Sequence, residues 1–184
     1  MNGGGHRLSG FGKEVATEGD IFLAMTDTES VVRETFAALD ARDIERFRAL
    51  VHPDAEDRFL ALGTFAGRDA IVAFFKELFA ALPDSRLEVH RVVAEEHAAA
   101  VEWTIRGTFS GGPFQGIRPT GKRVEINGVD VIEVREGLQY RNSIYYDGAT
   151  FARQIGMLPP LGSRADRLFL GLFNARSSLR RRRR

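Results

Sequence analysis

The thirteen residues AAAVEWTIRGTFS, Ala98 to Ser110, put Val101, Trp103, Ile105 and Phe109 on alternate positions, with Glu102, Thr104, Arg106 and Thr108 between them. A period of two marks a strand with one face in a core and the other in water. Arg86 to Glu95 precedes it across a polar turn at Glu95, Glu96 and His97. Val124 to Val134 follows a Gly/Pro loop, and Leu138 to Asp147 follows a turn at Arg135, Glu136 and Gly137. A four-stranded antiparallel meander is predicted, joined by one early strand over Asp54 to Leu60. Upstream the period becomes helical. Val32, Phe36 and Leu39 form one stripe behind Thr26 and Glu29, which have capping-box spacing. Asp43 caps a second, short helix carrying Ile44, Phe47 and Leu50 and stopped by Pro53. Gly67 to Leu82 then brings Ile71, Phe74, Phe75, Leu78, Phe79 and Leu82 near one face. The expected class is α+β, with three N-terminal helices packed on one side of a strongly curved, mainly antiparallel sheet.

A chain of 184 residues holds one core rather than two. Residues 1–24 contain six glycines and little apolar periodicity, and are read as a mobile N-terminal extension. Cysteine is absent, which excludes disulfides, thiol nucleophiles and thiolate metal sites and fits a cytoplasmic setting. Residues 161–184 form a basic tail, with Leu168, Phe169, Leu172 and Phe173 at helical spacing and eight arginines against the single acid Asp166. The formal total is only +1, so the body ahead of this tail is acidic and no nucleic-acid partner is expected. The tail is a candidate for contact with an acidic partner or an anionic membrane surface, against docking on the body or simple solvation.

The segments PFQGIRPTGKRVEINGVDVIEVREG, from Pro113, and YYDGATFARQIGMLPP, from Tyr145, resemble SnoaL-like polyketide cyclases and the wider nuclear transport factor 2-like superfamily. The likeness runs over residues 25–160, with Gly116 to Gly121 and Arg153 to Gly156 its most specific pieces. It implies a cone-shaped domain around a pocket, formed as a homodimer. It also implies particular positions for chemistry. The final-strand aspartate of the cyclases and of the related epoxide hydrolases falls on Ile144, and the cyclase histidine two residues earlier falls on Asn142. The helix-one tyrosine and early-strand aspartate of ketosteroid isomerases fall on Thr35 and Phe59. Their second aspartate falls on Asp130.

Alternation alone puts Asp130 on the face of Ile126, Ile132 and Val134. A carboxylate among aliphatic side chains has a raised pKa, which suits a general acid or a donor to a developing oxyanion. The alternative is a structural aspartate bonded to a loop or to Asn142. Asn142, Ile144 and Tyr146 share the inward face of the last strand with Tyr140, where aromatic residues also serve as plain core. Trp103 is a wall for a ring or a core residue, and the phenylalanines of residues 74 to 79 are read as packing. His6, His52, His90 and His97 lack ligand spacing, so no metal is expected. Gly116 to Lys122 matches GxxxxGK, but a strand and not a helix follows, so it is no phosphate loop.

The functional expectation is a cofactor-independent cyclase or isomerase. It would move a proton next to a carbonyl of a small apolar, polycyclic or terpenoid-like molecule. Asp130, Asn142 and Tyr146 are its catalytic candidates, and Thr35, Phe59, Trp103, Ile126 and Ile144 its pocket. The rival expectation is a non-catalytic module that binds an apolar ligand or dimerises through the outer sheet face at Val129 and Val131.

Overall fold

The computed structural model describes the backbone of residues 18–181 and the side chains of residues 28–176. In chain order the elements are α1 (Glu18–Ala41), α2 (Ile44–Leu50), β1 (Val51–Phe59), β2 (Gly63–Ala66) and α3 (Arg68–Ala81), then β3 (Arg86–Ala94), β4 (Ala98–Phe109), β5 (Lys122–Arg135), β6 (Leu138–Tyr146), α4 (Gly148–Gln154) and α5 (Arg164–Arg181). One six-stranded sheet has the order β2-β1-β6-β5-β4-β3. Every neighbouring pair is antiparallel except β1 and β6, which are parallel.

The helices do not form an N-terminal block of three. Two precede β1, α3 follows the β1–β2 hairpin, and α4 and α5 come after the sheet. β2 was missed because GTFA offers too few residues for a period to show. The helix α1 passes through Thr26, so no cap stands there. Residues 18–24 of the expected extension belong to its backbone, and residues 1–17 and 182–184 lie outside the described residues.

The other local signals are visible in the geometry. Asp43 caps α2 by accepting from the Arg46 amide at 3.0 Å, and Gly67 precedes α3 at φ 86°, a backbone region that favours glycine. Pro53 lies inside β1, where it ends no helix, because α2 has already stopped at Leu50. Asp147 caps α4 by accepting from the Ala149 and Thr150 amides. Gln154 of α4 then exchanges two bonds with the Glu125 backbone, at 2.8 and 2.9 Å, and so holds Phe151 over β5.

Burial along β5 alternates from Val124 through Ile126, Gly128, Asp130 and Ile132; of the inward set read from the sequence, Ile126, Asp130 and Ile132 are buried and Val134 half-buried. Along β6 the parity breaks. The register passes from Glu133 opposite Arg141 to Val134 opposite Gln139, so Tyr140 occupies a bulge. Gln139 is therefore buried, and Tyr140 turns out to lie against Arg135, Arg141 and the edge of His52. The expectation that Tyr140 shares the inward face is corrected by this extra residue.

α3 packs Ile71, Val72, Phe74 and Ala81 onto the sheet. Burying side chains such as Ile71 and Phe74 stabilises the fold by about 1.5–3 kcal/mol each. Among the described residues no helix is long and apolar enough to cross a membrane.

Candidate active site

Between α1, α3 and the inner sheet face lies a cavity of about 110 Å³. Phe36 and Leu39 reach it from α1, Phe59 from β1, and Phe74, Phe75, Leu78 and Phe79 from α3. Trp103, Ile126, Asp130, Ile144 and Tyr146 form the sheet side. The phenylalanine stripe of α3, read from sequence as packing, is thus also the cavity wall. Its rings lock together, with Phe74 centred 4.2 Å from Phe59 and 5.6 Å from Phe114. Such tilted and edge contacts add to the stabilisation from area alone.

Of the expected pocket residues, Phe59, Trp103, Ile126 and Ile144 line the cavity and Thr35 does not. The Thr35 hydroxyl donates to the Val31 carbonyl one turn back, at 2.8 Å, and it is Phe36 that faces the hollow. Asn142 also stands off the cavity wall, behind Asp130.

Asp130 is 6% exposed, and both of its oxygens are engaged. The Trp103 indole Nε1–H donates to Oδ1 at 2.7 Å, and the Asn142 amide donates to Oδ2 at 2.7 Å. Trp103 can take this position because Gly128, its direct partner across β4 and β5, has no side chain. A methyl group at residue 128 would lie 2.3 Å from the indole Cζ2.

Burial raises the Asp130 pKa from 3.8 to about 6, while the two donors pull it back. The carboxylate therefore predominates at neutral pH. The raised pKa expected from the aliphatic surroundings is present, and these donors, which act on the charged form, limit its size. A group titrating within about a unit of neutrality suits proton abstraction followed by return of the same proton. Tyr146 lines the same cavity, and burial pushes its hydroxyl up to about 12, so it remains a donor.

Sequence reasoning missed a second carboxyl. Asp57 on β1 is fully buried and accepts from the Gln139 amide at 2.9 Å. Burial, then the nearby Asp130, raise its pKa from 3.8 to about 8. Its signal was present, since Ala55, Asp57 and Phe59 share one parity in a strand already proposed. Gln139 was hidden by the bulge at Tyr140.

The structure resembles several solved proteins. A candidate SnoaL-like polyketide cyclase from Jannaschia sp. CCS1 superposes with a TM-score of 0.67 at 22% identity, covering 74% of this chain and 96% of its own. AclR, a candidate hydroxylase from Streptomyces galilaeus, gives 0.65 at 23% identity over 85% of this chain and 98% of its own. IdmH, a candidate polyketide cyclase from Streptomyces antibioticus, gives 0.60 at 25% identity over 70% and 97%. No curated protein sequence matches the chain. The family model described as the SnoaL-like domain matches residues 32–142, from the stripe of α1 to Asn142 on β6. With more than half its length matched in this way, and with the fold of these structures around its cavity, the chain belongs to the SnoaL-like domain family.

Proposed function

We propose that this protein is a cofactor-independent cyclase or isomerase that moves a proton next to a carbonyl of a small apolar molecule. One observation carries the reading. Asp130, buried, held by two donors and raised to about 6, lines a cavity whose other walls are almost wholly aliphatic and aromatic, the half-buried Asp40 at its margin being bonded to the Leu87 amide at 2.8 Å. Asp130 is the base that takes the proton and, once protonated, the acid that returns it. Tyr146 donates to the carbonyl oxygen as charge develops there. Gly128 is the β5 partner of Tyr146, two positions from Asp130, so the backbone positions of the two groups are offset by about 7 Å along the strand, and both side chains line the one cavity. Trp103 and Asn142 hold the carboxylate and do not themselves touch the substrate's reacting atoms.

The cavity size restricts the substrate. An apolar cavity of about 150 Å³ holds one benzene ring, so 110 Å³ takes a single ring-sized part of a larger molecule. The remainder would pass Leu62, which is 40% exposed at the lining's edge. The candidate polyketide cyclases among the similar solved structures are in keeping with a cyclase reading.

The test is hydrogen–deuterium exchange at carbon. Cyclic ketones and 1,3-diketones with one to four rings are incubated with the protein in D₂O and followed by proton NMR. Accelerated exchange that disappears in Asp130→Asn supports the reading; exchange unchanged by that substitution overturns it. The rival reading, a binding or dimerisation module, draws on the outer face, where Val129, Val131 and Tyr145 are 39%, 45% and 43% exposed. Saturable ligand binding without any exchange would favour it.

A further inference from the structure

Two buried side-chain oxygens near the site have no hydrogen-bond partner, Asp57 Oδ2 and Asn142 Oδ1. They belong to residues that face each other directly in the parallel register of β1 and β6. Both residues point inward, at 0% and 5% exposure. Two buried acceptors on adjoining positions are costly, because each keeps its desolvation penalty without a bond. One proton removes both defects.

Asn142 has a single amide to offer. Its Nδ2 already donates to Asp130 Oδ2, and turning the amide round would set its oxygen against that carboxylate. If both aspartates were ionised their charges would be close enough to repel, and Asp57 Oδ2 and Asn142 Oδ1 would both remain acceptors without a donor. If Asp57 carries a proton, the conflict disappears. Its hydroxyl supplies the donor that Asn142 Oδ1 lacks.

We propose that Asp57 is a positioning residue, neutral in the working enzyme, whose Oδ2 hydroxyl donates to Asn142 Oδ1 and locks the Asn142 amide toward Asp130. The chain of bonds then runs from Gln139 through Asp57 and Asn142 to Asp130 and Trp103, each link joining one donor to one acceptor. Asp57 so decides which of the two buried carboxyls is the ionised one. The surroundings agree. Of the elements packed on β1, α3 turns Arg68 to the Val51 carbonyl, Asp69 to Arg48 and Glu77 to Gln115, and leaves Lys76 exposed. On α2, Arg46 pairs with Glu34 and Glu45 is exposed, while Arg141 of β6 is exposed and β2 carries no charge. Among these residues no cation is placed to hold Asp57 ionised.

The inference rests on the reading of Asp130 as the cavity base only for its catalytic consequence, and its test needs no substrate. Trp103 is the only tryptophan in the chain, and its indole N–H sits on Asp130. The ¹⁵N–¹H indole resonance is therefore followed from pH 4.5 to 9.5 in the wild type, Asp130→Asn, Asp57→Asn and Asp57→Ala. Asparagine at 57 imitates the neutral acid, since its amide can donate to Asn142 while its oxygen accepts from Gln139.

The wild type should show an inflection near pH 6 that is lost in Asp130→Asn, and a second near pH 8. Asp57→Asn should leave the first within about 0.3 units and abolish the second. Asp57→Ala, which cannot lock the amide, should raise the first by about one unit or more. If Asp57→Asn instead lowers the first inflection by a unit or more, Asp57 was a charged neighbour and the proposal fails. It fails equally if Asp57→Ala matches Asp57→Asn. Should Asp57→Ala not fold, the wild-type and Asp57→Asn curves still decide. Loss of ketone exchange in these experiments bears on the proposed function and not on the state of Asp57.

Discussion

Asp130 and Ile144 stand directly opposite each other across β5 and β6. The family likeness places an acid at the β6 position, where this chain has isoleucine. The carboxylate comes instead from the strand beside it, at the same level of the sheet. Ile144 contributes apolar wall, and the cavity receives one acid from this pair rather than two. A single carboxylate among aliphatic neighbours can stay ionised near neutrality only with dedicated donors, which is what Trp103 and Asn142 provide.

Stability should fall as the solution is made less acidic. Asp57 binds its proton more tightly when folded, with a pKa of about 8 against an ordinary 3.8, and Asp130 does so at about 6. Between pH 4 and 6 the folded state holds more protons than the unfolded chain through both groups, and between 6 and 8 through Asp57. For each proton so held, a rise of one pH unit lowers the unfolding free energy by about 1.4 kcal/mol. Below pH 4 the contribution of these two groups is fully present, and above pH 8 it is gone. Urea unfolding at pH 5 and pH 8 should show the loss, and Asp57→Asn should flatten it between 6 and 8.

Replacing Trp103 by phenylalanine removes the donor to Asp130 Oδ1 and keeps most of the apolar surface. Urea unfolding should show destabilisation by about 1–3 kcal/mol, the cost of leaving a buried polar atom unsatisfied. Because the lost bond favoured the charged form, the Asp130 pKa should rise. Carboxyl ¹³C NMR would read that rise directly.

Gly128→Ala is a small change with a large expected effect. Its methyl would enter the indole ring of Trp103, and the backbone of β5 is held between two strands. Overpacking of this kind costs about 1–3 kcal/mol. Tryptophan fluorescence should shift as the ring leaves Asp130, and denaturant midpoints should fall.

Tyr146→Phe removes the proposed carbonyl donor from the cavity wall. Ketone exchange should slow by roughly 100-fold, the scale of losing one oxyanion donor, while thermal unfolding moves little. An unchanged exchange rate would remove Tyr146 from the mechanism.

Much of this architecture was legible locally. The period of two along β4 and β5 follows from a sheet with one face in the core, and so it specified the inward set that contains Trp103, Ile126 and Asp130. The helical stripe of α3 and the cap at Asp43 were equally readable, because they depend on residues a few positions apart. What the sequence could not decide is how distant strands meet. β1 lies parallel to β6, so Asp57 finds Asn142 eighty-five residues away, and a bulge at Tyr140 turns Gln139 inward to reach it. Side-chain parity is a property of each strand alone, whereas register between strands is settled by the packing of the whole core. The buried network was therefore decided only when the chain had folded.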